Sequence, residues 1–212
     1  MSEAREKMKV ELLSITPDAE ILIERAGRTC YQSEKAVTIE SAREFIPKLI
    51  KMGHESPLEH AYATFRVTGG SRAMTHQLVR HRLCSFSQQS QRYVSETNFE
   101  YVVPESVPAE MVDDFKADME SIRQMYIRWK DRGLKSEDAR FVLPNACTSE
   151  IVISANFRQF RHIFRLRCDK HAQWEIRAIC RDMLFKLYNV APSVFQDVLN
   201  KVVEQDRQVP DR

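Results

Sequence analysis

The segment from Arg80 to Tyr93 constrains this chain more than any other, because it combines cations and polar side chains with very few apolar residues. It reads Arg-His-Arg-Leu-Cys-Ser-Phe-Ser-Gln-Gln-Ser-Gln-Arg-Tyr. Cations this close together repel one another by roughly 1 kcal/mol per near pair at a protein surface, unless an anion lies among them. The apolar content after Arg82 is too low for a core element. The segment therefore predicts an irregular, ligand-facing loop that binds an anion.

A phosphate group fits the chemistry of this segment. Guanidinium groups present planar forks that match phosphate oxygens in pairs. Serine and glutamine can hydrogen-bond a base edge or a ribose. We therefore predict that Arg80, Arg82 and Arg92 hold phosphate-bearing ligands and that Ser90 hydrogen-bonds a nucleotide. A solvated, arginine-rich helix end is the structural alternative.

Length and composition indicate an ordinary globular protein. The chain has 212 residues, of which 43% are hydrophobic and 29% are charged, and we predict one domain over residues 1–212. No apolar run approaches the roughly 20 residues of a membrane helix. The charged N-terminal segment is not followed by the apolar stretch of a secretory signal. We expect a cytoplasmic protein without a membrane partner.

The cysteines and charges narrow the ligand classes further. Five cysteines are an odd number, widely spaced and without a C-x-x-C pair, so we expect neither a disulfide framework nor a metal site. The net charge of +2 is too small to indicate nucleic acid by itself. Residues 156–181, however, carry seven Lys and Arg against two carboxylates. We expect an anionic ligand there.

The periodicity of apolar residues predicts an α/β (α+β) fold, an antiparallel or mixed sheet flanked by helices. The predicted strands are Val10–Ile15, Ala61–Val67 ended by Gly69-Gly70, a short one resuming at Tyr93-Val94, and Ile151–Ile153. The predicted helices are 16–28, Ile39–Met52, one capped by Ser71 that runs into Arg80-His81-Arg82, Val107–Arg132, 136–144, one starting at Asn156, and a last one over 170–188. The segment after Gly53 is predicted to be a loop.

Several segments together resemble the flavin-dependent thymidylate synthases. The triplet Arg80-His81-Arg82, followed by seven residues and Ser90, resembles the signature of that family. Four more segments resemble other parts of it: His54-Glu55-Ser56-Pro57-Leu58-Glu59-His60, Ala139-Arg140-Phe141-Val142-Leu143-Pro144, Asn156-Phe157-Arg158 and His171-Ala172-Gln173-Trp174-Glu175. The matches cover most of the chain.

The resemblance implies two sets of binding residues. The set implied for dUMP is Gln77, Arg80, Gln88, Gln89, Ser90, Gln91, Arg92, Arg140 and Arg167, with Arg167 contacting the pyrimidine and acting in catalysis. The set implied for FAD is His54, Ser56, Arg80, His81, Arg82, Gln88, Asn156, Arg158, His162 and His171. Gln88 stands where some members carry Glu, and His162 where many carry Asn.

The resemblance also implies a reaction and an assembly. The enzyme would methylate dUMP reductively to dTMP, with methylenetetrahydrofolate as carbon donor and NADPH reducing the FAD, and tetrahydrofolate would be released. The flavin would lie across a subunit interface of a homotetramer. The chain has no G-x-G-x-x-G motif, so side chains must hold the phosphates of any dinucleotide.

Two alternatives remain open from the residues. Cys84 has cationic neighbours that could lower its pKa, which is the feature of a nucleophilic thiol. The family pattern, however, does not require cysteine there. The same arginine cluster could also belong to a nucleotide- or nucleic-acid-binding module, although the near-neutral charge of the chain argues against nucleic acid.

Overall fold

A computed structural model describes residues 7–30, 32–33 and 37–207, and it confirms a mixed α/β fold with an antiparallel sheet flanked by helices. The strands are β1 (Lys9–Ile15), β2 (Tyr62–Ser71), β3 (Ser85–Gln88) and β4 (Thr148–Asn156). The α-helices are α1 (Ala19–Cys30), α2 (Ile39–Lys51), α3 (Arg72–Leu78), α4 (Val112–Asp131), α5 (Ser136–Ala139), α6 (Phe157–Arg167), α7 (Trp174–Val190) and α8 (Pro192–Arg207). Short 3-10 turns cover Ser56–His60, Ala109–Met111 and Arg140–Val142.

The sheet has the strand order β1-β2-β4-β3. β2 pairs antiparallel with β4. At one end of the pair the Phe157 amide donates to the Ala61 carbonyl (2.8 Å), and at the other end the Arg72 amide donates to the Cys147 carbonyl (2.8 Å). Along β4 every second residue is buried, the period of a strand with one face on a core. The alternation that the sequence predicts for Ala61–Val67 is present in β2 as well.

The described residues form two compact units. The first comprises residues 7–9, 67–80 and 87–152, and the second comprises the described residues of 10–66, 81–86 and 153–207. Each of the strands β1 to β4 contributes residues to both units. One domain over residues 1–212 stays a prediction. Among the described residues, no helix is long and apolar enough to cross a membrane.

Aromatic rings on α6 form the core of the second unit, as the sequence predicts. Phe157, Phe160 and Phe164 are fully buried, because spacings of three and four residues put them on one helix face. Phe160 packs edge-on against Phe65 of β2, with ring centroids 5.5 Å apart, and Phe157 packs against Phe195 of α8 at 5.2 Å. These contacts join α6 to both the sheet and the last helix.

The same helix also buries a charge. Arg161 is fully buried, and its two terminal nitrogens donate to the Asp197 carboxylate at 2.6 and 2.8 Å. It also donates to the Val194 carbonyl and, at 3.4 Å, to Glu55. Burial alone would raise the pKa of Asp197, but the hydrogen bonds and charge of Arg161 hold it below its ordinary value. Only the guanidinium is fully buried, since the Asp197 side chain is 44% exposed. Burial of the guanidinium is tolerated because acceptors meet both terminal nitrogens, whereas its Nε atom has no hydrogen-bond partner among the described residues.

Two strands differ from the sequence prediction. β2 continues through Gly69-Gly70 to Ser71, because Gly69 adopts a φ of +74° that glycine accepts without strain. β3 lies where the sequence predicts an irregular loop. As the edge strand, it depends on backbone pairing, such as the bond from the Gln89 amide to the Glu150 carbonyl (2.9 Å), and needs no apolar pattern.

Residues Tyr93 and Val94 do not resume a strand, so that prediction is wrong. Both amides donate to the Ser90 carbonyl, at 3.2 and 3.0 Å. These bonds close a turn.

The helices also depart from prediction in three places. The helix that Ser71 caps, through its hydroxyl and the Met74 amide (3.1 Å), ends at Leu78, so Arg80-His81-Arg82 is not helical. The predicted loop after Gly53 contains a 3-10 turn, Ser56–His60. The C-terminal region holds two helices, because Pro192 begins α8. A proline can follow the end of one helix and also occupy the first position of the next, because its fixed φ suits that position.

Two glycines allow a matched test of backbone constraint. Gly53 and Gly69 both have positive φ, +76° and +74°. A Cβ on Gly53 would meet nothing within 4 Å, whereas a Cβ on Gly69 would collide with the Lys7 carbonyl. Gly53→Ala should lower the free energy of unfolding by about 1–2 kcal/mol, and Gly69→Ala by about 1–3 kcal/mol more. Urea unfolding of both variants measures the difference, and equal losses would contradict the close approach at Gly69.

Candidate active site

The end of helix α2 positions the first group of candidate flavin residues. The Gly53 amide donates to Ile50 (3.0 Å) and the His54 amide to Leu49 (2.9 Å), and Gly53 has a positive φ. This pair of bonds is the Schellman motif, which ends a helix with a glycine in the left-handed conformation. It directs the chain into the turn at Ser56, so the exposed side chains of His54 and Ser56 follow a rigid element.

Helix α6 presents the next two candidates. Asn156 is its N-cap, and the side-chain oxygen accepts from the Gln159 amide at 2.8 Å. The amide nitrogen of Asn156 is thus the group that it can offer to a ligand. Arg158, two residues later, donates to the Glu59 carboxylate at 2.5 Å, and both side chains are about half exposed. Glu59 therefore holds Arg158 next to the turn that carries Ser56.

At its C-terminal end, α6 brings Arg167 into contact with the signature motif. The Nε atom of Arg167 donates to Nε2 of His81 at 3.0 Å, and the rings of His81 and His162 meet edge-on at 6.1 Å. Burial, the charge of Arg167 and the neighbouring His162 lower the pKa of His81 to about 4. His81 is therefore neutral near pH 7, and its Nε2 lone pair can accept the bond from Arg167.

The remaining flavin candidates in the second unit are exposed. Arg82 and His162 are both exposed. His171 bonds Asp169 through its ring nitrogen (2.8 Å) and its amide (2.9 Å). Both bonds hold the pKa of Asp169 below its ordinary value, and the bond from the His171 amide has the larger effect. Asp169 thus orients His171 while leaving the imidazole accessible.

In the first unit, the Ser/Gln segment (residues 87–91) is held by hydrogen bonds to other elements and by a local turn. The Gln88 amide nitrogen donates to Thr75 and to Ser149, both at 3.0 Å. Only its carbonyl oxygen is then left for a ligand. The Ser90 hydroxyl accepts from the Arg92 amide at 3.2 Å, which forms a local turn. Gln77 and Gln89 are half-buried, Arg80 is exposed and Gln91 is buried.

One residue, Glu137, joins the two outlying arginines of this unit, one through its carboxylate and the other through its backbone carbonyl. Arg92 donates to the Glu137 carboxylate from Nε (3.1 Å) and pairs with it through a terminal nitrogen (3.0 Å). Arg140 donates to the Glu137 backbone carbonyl at 3.1 Å. Two cations that lie far apart in the sequence are thus brought together. A bound phosphate would compete with Glu137 for Arg92, because both present oxygen pairs to the same guanidinium fork.

Sequence reasoning misses a buried carboxyl group in this unit. Glu96 is 5% exposed, and burial raises its pKa, against the opposing effects of Arg72 and Gln91. Its backbone amide donates to the hydroxyl of buried Tyr126 at 3.3 Å. Glu96 lies directly after the motif in a polar stretch and carries no local signal of burial. It anchors the end of the segment that contains Gln89 and Gln91.

The structure argues against the alternative in which cationic neighbours lower the pKa of Cys84, and it agrees with an inert thiol. Burial raises the pKa of this thiol to about 11, despite a hydrogen bond involving Gln159. The cationic neighbours in the sequence do not offset this loss of solvation. A nucleophilic cysteine needs the thiolate form, and at neutral pH Cys84 is a thiol.

The candidate residues divide between the two units in an orderly way. All nine dUMP candidates except Arg167 belong to the first unit. All ten FAD candidates except Arg80 and Gln88 belong to the second. Each group combines exposed cations with amide or imidazole side chains on well-defined turns and helix ends. This pattern is typical of an enzyme that binds anionic organic ligands through side chains.

Comparisons with known proteins agree with this class. The family described as "Thymidylate synthase complementing protein" matches residues 11–193. The chain is 45% identical to a "Flavin-dependent thymidylate synthase" of Geobacter sulfurreducens, over 90% of this chain and 86% of the relative. It is 37% identical to a protein of the same name from Clostridium tetani, over 89% and 86%, and 41% identical to one from Nitratidesulfovibrio vulgaris, over 90% and 86%. The chain belongs to the family of flavin-dependent thymidylate synthases.

The contact between His81 and Arg167 predicts a pH effect on stability. With a folded-state pKa of about 4 and an unfolded value of about 6.5, the unfolded chain binds the proton first as pH falls. Stability is therefore lost between about pH 6.5 and pH 4. Over this range the wild type should lose about 2–3 kcal/mol more unfolding free energy than His81→Asn.

Urea unfolding at several pH values measures this loss. His76→Asn, which replaces an exposed histidine, is the matched control and should follow the wild type. An imidazole proton of His81 that titrates near pH 6.5 in NMR spectra would contradict the prediction.

Proposed function

We propose that the protein catalyses the reductive methylation of dUMP to dTMP. Methylenetetrahydrofolate supplies a one-carbon unit to C5 of the uracil ring, and NADPH supplies the two electrons that convert this unit to a methyl group. The other products are tetrahydrofolate and NADP⁺. Membership of the family supports this reaction, and the division of the candidate residues into a nucleotide group and a flavin group is the structural observation that carries it.

The nucleotide group offers the chemistry that dUMP needs. Arg80 and Arg92 are exposed cations on either side of the Ser/Gln segment, and Arg140 is tied to the same residue as Arg92. Guanidinium groups suit the phosphate, while Gln77, Gln89, Gln91, Ser90 and the free oxygen of Gln88 suit the base and the sugar. Binding requires the phosphate to displace Glu137 from Arg92. This exchange replaces one charge-assisted pair by another.

The flavin group fits FAD as its ligand. Arg82 and Arg158 provide exposed cations for the pyrophosphate, and His54, Ser56, Asn156, His162 and His171 provide hydrogen-bonding groups. Arg158 is oriented by Glu59 and His171 by Asp169, so these groups are held before the ligand arrives. When bound, FAD would supply hydride chemistry that no side chain can provide.

Arg167 has the role of stabilising charge on the pyrimidine. A guanidinium beside the uracil carbonyl favours the electron-rich form of the ring and makes C5 more nucleophilic. The bond to neutral His81 orients this guanidinium without cancelling its charge, whereas a carboxylate partner would cancel it. The charge on the ring grows as the reaction proceeds, so Arg167 acts mainly on the transition state.

We further propose a homotetramer in which each active site uses several chains. Among the described residues, the most exposed large apolar side chains are Leu83 (81%), Tyr93 (82%) and Phe141 (84%). Each adjoins a predicted binding arginine in sequence: Arg82, Arg92 or Arg140. Exposed apolar side chains of this size mark association surfaces when they gather at a functional site.

Arg92→Ala tests the nucleotide site. Loss of a charged hydrogen bond should weaken dUMP binding by roughly 1.5–3 kcal/mol, as measured by titration calorimetry. Arg128→Ala, which removes an exposed arginine of the same unit, is the matched control and should bind dUMP normally. Unchanged affinity in Arg92→Ala would remove this residue from the site.

Arg167→Ala tests catalysis. Single-turnover dTMP formation with pre-reduced enzyme should slow by about 10² or more, with the flavin content intact. Arg167→Lys keeps the charge but loses the planar fork, so it should recover part of the rate. A wild-type rate in Arg167→Ala would disprove the catalytic role of Arg167.

Cys84→Ala should keep the rate of dTMP formation within about tenfold, because no covalent thiol step is lost.

A further inference from the structure

A cavity in the second unit lies apart from every residue assigned above to dUMP or FAD. It has a volume of about 750 Å³ and lies between helices α2, α6 and α8. This volume is in the range of sites that hold small organic molecules. Its apolar walls include Pro47 and Ile50 of α2 and Pro192 at the start of α8.

The charged groups of this cavity are cationic on balance. Arg43, Lys51 and Arg165 line it, against one carboxylate, Asp197. That carboxylate already receives two bonds from buried Arg161, so its charge is compensated from inside the protein. Within the described part of the chain, neither Arg43 nor Lys51 forms an ion pair. The pKa of Glu40 is lowered mainly by hydrogen bonds from its own backbone amide and from Thr38, and the charge of Arg43 has a smaller effect in the same direction.

We propose that this cavity binds a small organic anion with an apolar body. Arg43 and Lys51, which form no ion pair among the described residues, would bind the anionic group, and the proline and isoleucine side chains would cover the apolar part. Both the cations and the apolar walls are needed to favour this class of ligand. A bare inorganic anion gains nothing from the apolar walls, and a neutral ligand leaves two cations unpaired beside it.

The cavity is connected to the candidate flavin segment through Arg165. This residue lines the cavity and donates to Glu55 at 2.8 Å, while its distance to Asp197 is 4.0 Å. Glu55 lies between His54 and Ser56 in the chain. An anion in the cavity competes with Glu55 for Arg165, and so loosens the residues on either side of Glu55. Given the proposed function, occupancy of the cavity therefore weakens flavin binding, and flavin weakens occupancy by the same factor.

Phenyl phosphate is a suitable probe, because it joins a dianion to an apolar ring. Titration calorimetry would use the full chain with its flavin bound and with saturating dUMP, which blocks the nucleotide site. Arg43→Gln and Lys51→Gln should each weaken phenyl phosphate binding by about tenfold, as expected for loss of one charged hydrogen bond. Lys48→Gln removes an exposed cation of the same helix that does not line the cavity. It should bind the probe as the wild type does.

Different results would contradict the site, the apolar part of its ligand, the coupling to flavin and the proposed function. Absence of binding at millimolar phenyl phosphate, or equal affinity in all three variants, would overturn the site. Equal binding of inorganic phosphate would overturn the assignment of an apolar body. A second titration, of flavin into the flavin-free chain, should show affinity about fivefold weaker with saturating probe. Unchanged flavin affinity would overturn the coupling, and absence of dUMP binding would instead count against the proposed function.

Discussion

The second unit depends on one buried guanidinium. Arg161 is surrounded by helices and lacks contact with water, so its charge must be compensated inside the protein. Asp197, the Val194 carbonyl and Glu55 provide that compensation from the last helix and from the turn after α2. The burial of Arg161 therefore places three segments at once. The aromatic side chains of α6 fill the space around it, but the ionic contacts determine which partners the helix accepts.

Local signals explain what the sequence could predict. The sequence predicts a helix capped by Ser71 and a helix that starts at Asn156, because a hydroxyl or amide before a helical pattern can bond the backbone within the next three residues. In the structure both side chains cap their helices. Non-local contacts explain what it could not. The edge strand β3 has no apolar pattern of its own, and Pro192 is compatible with a helix end or a helix start. The partial burial of Cys84, which raises its pKa despite the cationic neighbours in the sequence, depends on residues far along the chain.

The candidate site shows the same division. The sequence motifs predict the binding arginines, but they do not predict the carboxylates that hold these arginines in place. Glu137 is separated by 45 residues from Arg92, and Glu59 by 99 from Arg158. In both pairs the carboxylate orients a side chain whose expected ligand is also an anion. The arginines are thus kept in place without a ligand, at the expense of a competition that a phosphate must win. His81, being neutral, contributes no negative charge to its contact with Arg167.

The contact between Arg161 and Asp197 also has a consequence for synthesis of the chain on the ribosome. The two residues are 36 positions apart, and Glu55 precedes Arg161 by 106. A nascent chain that has reached α6 therefore holds a guanidinium whose main acceptor has yet to be translated. Burial of α6 against the sheet at that stage would leave this charge largely uncompensated. We infer that α6 docks only after α8 has emerged, so the second unit is completed only once its last helix has been translated.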